Sequence, residues 1–237
     1  MSTPDPSPSL AASREVRTVR ADRAFAWYSD ALRLFKRQPL GFVLLAVAVA
    51  AAELALMMIP VAGLPAANVF VPIVASALLF AALATDRGDR PRAMHLLAPF
   101  AASVPAVAAV ICAALCVSFA EWVVGWHVIG LNTLSLDERS GMSVRETLLV
   151  YGTGILVSLP LTLVPLFAFF EGASVRDAFA LSLNAFARNV PAFLLYGGLS
   201  TALLGIVFVT HGIAAPIVLP LWVLSSYTAW KDLFGVL

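Results

Sequence analysis

Six long apolar runs constrain this chain more than any other feature. They extend from Pro39 to about Val61, Leu64 to Ala84, Pro99 to Val124, Thr147 to Phe170, Pro191 to Thr210, and Ile213 to Trp230. A helix of about 20 apolar residues crosses the hydrocarbon core of a bilayer. Composition agrees, with 61% of the 237 residues hydrophobic and 12% charged. A soluble domain has about 45–50% apolar and roughly 25% charged residues. An ordinary cytosolic enzyme, a nucleic-acid binder and a disordered chain are therefore excluded. The net charge of +1 gives no reason to expect a polyanionic partner. The expected fold is all-α and polytopic: six transmembrane helices arranged as three hairpin repeats, with amphipathic interfacial helices. Residues 1–13 read as a disordered tail rich in Pro and Ser, residues 14–38 as an amphipathic interfacial helix, and residues 39–237 as the membrane domain. The first apolar run starts too late for a cleavable signal peptide and reads as a retained span.

Residues 14–38 carry Arg14, Arg17, Arg20, Arg23, Arg33, Lys36 and Arg37. Ala24, Trp27, Tyr28, Ala31, Leu34 and Phe35 recur at helical spacing. A basic amphipathic helix with Trp and Tyr suits a membrane surface; a short solvated helix capping the bundle is the other reading. Residues 171–190 form a second amphipathic segment. Two S-x-x-E/D patterns, Ser143 to Glu146 and Ser174 to Asp177, mark helix starts. Thirteen of the 15 Lys and Arg fall on one side of the expected topology, and only Arg139 and Arg145 on the other. Positive residues favour the cytoplasmic side, so both termini are expected there. This bias also favours an even number of spans.

The segments leading into the first and fifth runs look alike. Each ends in a basic residue followed closely by Pro, as in Arg37-Gln38-Pro39 and Arg188-Asn189-Val190-Pro191, with Phe42 or Phe193 just beyond. Pro in the first helical turn forfeits no intrahelical bond, and the neighbouring cations can reach lipid phosphates. Arg33, Lys36, Arg37 and Arg188 are the candidate headgroup contacts. A weaker third copy spans Arg92 to Phe100. Returning runs share Pro72, Pro165 and Pro220, with Asp86, Asp177 and Asp232 near or beyond their ends. Parallel repeats occur in transporters, but duplication alone does not imply transport.

These lead-in segments, together with the closing stretch Ser225-Ser226-Tyr227-Thr228-Ala229-Trp230-Lys231-Asp232-Leu233-Phe234-Gly235, resemble six-span inner-membrane proteins of proteobacteria. The YciC-like group and the membrane domain of some glycerophosphodiester phosphodiesterases are similar at a greater distance. The likeness covers about residues 23–45 and 175–235. It implies a bacterial inner membrane and brings no set of functional residues.

An ionisable group within a span costs about 2.5–3.5 kcal/mol on insertion scales, which singles out Glu53. It lies roughly 21 Å along its helix at 1.5 Å per residue, in the outer half of the bilayer. Glu121, His127, His211 and Asn68 should lie at or near that level. One reading is a polar cavity in which Glu53 binds a proton or cation with His211 as partner. The other is a Glu53 hydrogen-bonded to a neighbouring helix or protonated. Glu121 and His127 cannot share a helix face, being about 240° apart, so no metal site is expected. Cys112 and Cys116 read as soft packing residues. Eight prolines in or beside the runs and the Gly197-Gly198 pair read as packing features first. No nucleophile, zinc or phosphate-loop motif is present, and neither enzyme activity nor a cofactor is expected. The leading function is a non-enzymatic membrane module that supports envelope assembly or binds other membrane proteins. A small-solute or proton-coupled transporter using Glu53 and a lipid-interacting protein using the basic helices are the alternatives.

Overall fold

A computed structural model describes residues 15–235; the expected tail, residues 1–13, lies outside them. Among the described residues every regular element is helical. In chain order these are α1 (Arg23–Arg37), α2 (Pro39–Met57), α3 (Gly63–Ala75), α4 (Ala77–Asp86), α5 (Val104–Val124), α6 (Leu136–Ser140), α7 (Val144–Ser158), α8 (Val164–Phe170), α9 (Val175–Arg188), α10 (Val190–Val209) and α11 (Ala215–Phe234). A 3-10 helix (Ala93–Ala101) precedes α5, a π turn (Gly125–Ile129) extends it, and a second 3-10 turn (Leu159–Leu161) follows α7. Both S-x-x-E/D patterns form N-caps. Glu146 N–H donates to Ser143 Oγ at 3.3 Å, and Asp177 N–H donates to Ser174 Oγ at 3.2 Å.

Five helical stretches are long and apolar enough to cross a membrane: Pro39–Met57, Gly63–Asp86, Val104–Ile129, Val144–Leu161 and Val190–Val209. The sixth expected span differs. Helix α11 has 20 residues, enough for about 30 Å at 1.5 Å rise. Its second half, however, carries Ser225, Ser226, Tyr227, Thr228, Lys231 and Asp232. Those groups are turned inward, and Leu224, Ser225, Tyr227, Ala229 and Leu233 are buried. This polar half packs into the bundle, and α11 is not among the five apolar stretches.

Two runs read as continuous are broken, and proline explains both. Pro72 lies inside α3, and a proline removes one backbone donor and crowds the preceding turn. The helix bends at Ser76, whose hydroxyl donates to the Pro72 carbonyl at 2.8 Å. In the fourth run, Pro160 and Pro165 flank a gap between α7 and α8. Buried Ser182 of α9 satisfies the freed backbone there, accepting from Leu163 N–H at 3.2 Å and donating to the Pro160 carbonyl at 2.7 Å. The third run also shifts. Pro99 falls in the 3-10 helix, and the spanning helix starts at Val104 after extended Ser103.

Contacts sort the chain into two ends. At the charged end, Gly41 faces Pro91, Asp86 pairs with Lys231, and Arg17 N–H donates to the Leu233 carbonyl at 2.9 Å. Residues 57–64 and 132–137 line a common cavity at the opposite, turn end. Each lead-in segment packs on a returning helix at the charged end: the 3-10 helix on α4, α9 on α8, and α1 on α11. The first lead-in thus rests on the last returning helix.

Helix α1 is shorter than the expected 14–38 and is not laid flat on lipid by its apolar face. Ala24, Trp27, Ala31, Leu34 and Phe35 are buried, and α1 packs on α10, α11 and α4. The α1–α2 and α9–α10 junctions match in backbone geometry. Gln38 has φ −145° and ψ 56°, and Asn189 has φ −132° and ψ 28°. Phe35 stacks on Phe42 at 6.0 Å, and Phe186 packs on Phe193 at 5.6 Å.

Candidate functional site

The charged end is built around Trp27 and two aspartates. Trp27 is fully buried and packs on Phe193 and Tyr196 with ring centroids at 5.6 and 6.1 Å. Its indole N–H donates to Asp232 Oδ2 at 2.9 Å. Arg23 lies one turn before Trp27 on the same face of α1, where i and i+4 are neighbours. It donates to both oxygens of Asp232, at 3.0 and 2.7 Å. A paired guanidinium and carboxylate fork adds geometric specificity to energy, and the bond to Asp232 raises the Arg23 pKa further. Asp86, at the end of α4, accepts from Tyr227 at 2.9 Å and pairs with Lys231. Arg33 pairs with Asp30 within α1.

These pairs surround a groove of about 420 Å³ between α1 and α11. Arg17, Arg23, Arg33, Arg37 and Lys231 bring five cations to it, and Asp30, Asp86 and Asp232 bring three carboxylates. Arg17 and Arg37 make no ion pair among the described residues, although Arg37 acts electrostatically on Asp86. Below the groove, Tyr28 and Ser200 share a hydrogen bond of 2.7 Å, and Tyr28 stacks on Tyr196 at 5.4 Å. Burial pushes the Tyr28 phenol up from its ordinary value, so it stays protonated.

Of the four expected headgroup contacts, Arg33 and Arg37 line this groove. Lys36 is exposed outside it, and Arg188 is exposed on α9, where it donates to Asn184 at 3.1 Å. The expected intramembrane set divides. Glu53 and Glu121 are half-buried on α2 and α5. Asn68 is half-buried on α3. His211 is exposed in the α10–α11 turn at φ 50°, and His127 is exposed in the π turn. No contact joins His211 to Glu53 among the described residues. Arg139 of α6 donates to the hydroxyl of Tyr151 on α7 and lies over its ring at 5.0 Å.

Glu121 lies across Gly154. A Cβ placed on Gly154 would come 2.0 Å from Glu121 Oε1 and 2.9 Å from its Cδ. Gly154→Ala is therefore expected to destabilise by about 1–3 kcal/mol through overpacking. Glu121→Ala should relieve that cost, with a coupling of about 0.5–3 kcal/mol between the two sites. Thermal melts of the two single variants, the double variant and the parent in mild detergent measure it. Strict additivity would show that the two side chains do not compete for the space.

Sequence reasoning missed Arg23, Trp27, Asp86, Tyr227, Lys231, Asp232, Arg139 and Tyr151 as members of sites. The pairs at the charged end are 141 to 209 residues apart, so no local spacing announces them. The one usable signal was polarity on α11, where Tyr227 and Lys231 stand at i and i+4. Compared with protein-family models, curated proteins and solved structures, the chain matches none.

Proposed function

We propose that this chain is a six-span, non-enzymatic protein of a bacterial inner membrane that binds anionic lipid headgroups at its charged end. In this reading α11 is the sixth span, the charged end is cytoplasmic, and three hairpins repeat around the bundle. The cyclic packing of the lead-in segments and the matched Gln38 and Asn189 junctions support the repeat. The likeness to six-span proteobacterial proteins belongs to the same proposal. One observation carries the lipid reading: α1 buries its apolar face in the bundle and leaves Arg33, Lys36 and Arg37 exposed. Arg87, Arg90, Arg92 and Arg188 are exposed as well. Cytoplasmic leaflets are anionic, and each basic residue near the surface contributes about 1 kcal/mol. This favours lipid binding over a module that only docks other proteins, because the cations are held in place without a second protein.

Native mass spectrometry in mild detergent tests the reading. The protein is expected to retain phosphatidylglycerol over phosphatidylcholine. A variant with Arg33, Lys36, Arg37 and Arg188 changed to Gln should lose at least about tenfold of that preference. Equal retention of both lipids by the parent would overturn the proposal. A reporter fused within residues 132–142 should read as periplasmic, and a cytoplasmic signal would reverse the orientation.

A further inference from the structure

The charged end offers more than a diffuse basic surface. We infer that the groove between α1 and α11 is a discrete site for one membrane lipid whose headgroup carries two negative phosphate charges. The inference rests on the lipid-binding reading and narrows it to a place and a stoichiometry.

Charge is the first argument. The groove holds five cations against three carboxylates. Each carboxylate is already engaged: Asp232 by Arg23 and Trp27, Asp86 by Lys231 and Tyr227, and Asp30 by Arg33. Two positive charges remain, on Arg17 and Arg37. A headgroup with two phosphodiesters, or one doubly ionised phosphomonoester, balances them. A singly charged headgroup leaves one guanidinium uncompensated.

Rigidity is the second. The backbone of Arg17 is pinned on both sides: its N–H donates to Leu233, and its carbonyl accepts from the buried Asn189 amide at 3.0 Å. Arg37 ends α1, whose other face is packed into the core. The engaged carboxylates hold the walls between them. Cations whose roots are fixed before the ligand arrives lose less freedom on binding. The cavity volume also falls within the range of small-molecule sites, about 300–1,000 Å³.

The third argument selects a lipid over a soluble phosphate. Immediately past Arg37, α2 presents Leu40, Leu44 and Val47 as an exposed apolar stripe, with Leu40 and Leu44 70% and 59% exposed. Residues spaced i, i+4 and i+7 lie along one helix face. A headgroup at Arg37 would place its acyl chains along that stripe. A soluble phosphate gains nothing from it. Basic pockets between membrane helices on the cytoplasmic side are known to take such headgroups.

The test uses the full chain in mild detergent, titrated with cardiolipin, phosphatidylglycerol, phosphatidylcholine and glycerol 1-phosphate, and read by native mass spectrometry. One tightly held cardiolipin is expected, preferred over phosphatidylglycerol by about tenfold. Arg17→Gln with Arg37→Gln should abolish that preference. Lys36→Gln with Arg188→Gln should lower the number of loosely held anionic lipids and leave the tight one in place. If the first pair melts below the parent, Arg17→Lys with Arg37→Lys keeps both charges and should retain the tight lipid. Several anionic lipids lost equally from both pairs would overturn the discrete site while leaving the broader lipid reading intact. No preference for anionic lipid in the parent would overturn both. Displacement of cardiolipin by equimolar glycerol 1-phosphate would overturn the lipid as occupant.

Discussion

Trp27→Ala is expected to lower stability by about 3–5 kcal/mol, the range for removing a large buried aromatic side chain. The indole is fully buried, packs on Phe193 and Tyr196, and donates to Asp232. Removing it leaves a cavity where α1 meets α10 and α11, and takes one donor from a carboxylate that then depends on Arg23. Trp27→Phe separates the two effects. It keeps most of the packing and loses only the bond to a charged acceptor, for which about 1.5–3 kcal/mol is typical. Calorimetric melts in mild detergent should rank the parent above Trp27→Phe and Trp27→Phe above Trp27→Ala. Trypsin should also cut earlier at Arg23 and Arg33 in Trp27→Ala, since cleavage follows local opening. Equal melting of Trp27→Ala and the parent would show that α1 is a peripheral flap and not part of the bundle.

That expectation marks where sequence reading stopped. The apolar runs are legible because a helix in lipid must satisfy its backbone internally and face hydrocarbon; α2 starts at its expected Pro39, and α10 lies within one residue of its expected limits. Caps at Ser143 and Ser174 are legible because they are local. Trp27 was legible as part of an apolar helical face but not as a core residue. An amphipathic face presents the same pattern whether it rests on lipid or on protein. The resolving information lies in α11, about two hundred residues further on. Its hydroxyl-rich half is too polar for a lipid-facing span and suits a helix that meets α1, α4 and α10. Thr228, for example, donates to the Trp27 carbonyl at 2.8 Å. The same limit applied to Glu53. Its place on α2 was readable, but the pairing of Arg139, on the short helix α6, with Tyr151 of α7 was not.

The second large effect is expected at Asn189. It is fully buried at the α9–α10 junction, and its side chain joins three segments. It accepts from Val19 N–H at 2.7 Å and donates to the Arg17 and Ala185 carbonyls, both at 3.0 Å. Leu has the same branched skeleton but is bulkier and can make none of these bonds. A buried group left without its partner costs about 1–3 kcal/mol, so Asn189→Leu should melt well below the parent. Residues 15–22 have no helix of their own and hold their place through this amide, Leu233 and the burial of Val16 in the core. They should therefore come loose first, freeing the backbone at the exposed Arg17 and Arg20 for trypsin. Gln38 is the control. It occupies the matching junction with a similar backbone, yet its side chain makes no hydrogen bond among the described residues. Gln38→Leu should change the melt by less than about 0.5 kcal/mol, as for a surface position without special contacts. A stable Asn189→Leu with unchanged cleavage would mean that Leu233 and buried Val16 secure the strap without it. If Asn189→Leu unfolds early, loses the strap and also loses the preference for a doubly charged lipid, then the amide that ties the lead-in of one hairpin to the N-terminal strap is also what sets Arg17 in the groove. In that case the α9–α10 junction would contribute to the site through Asn189, where it differs from the α1–α2 junction.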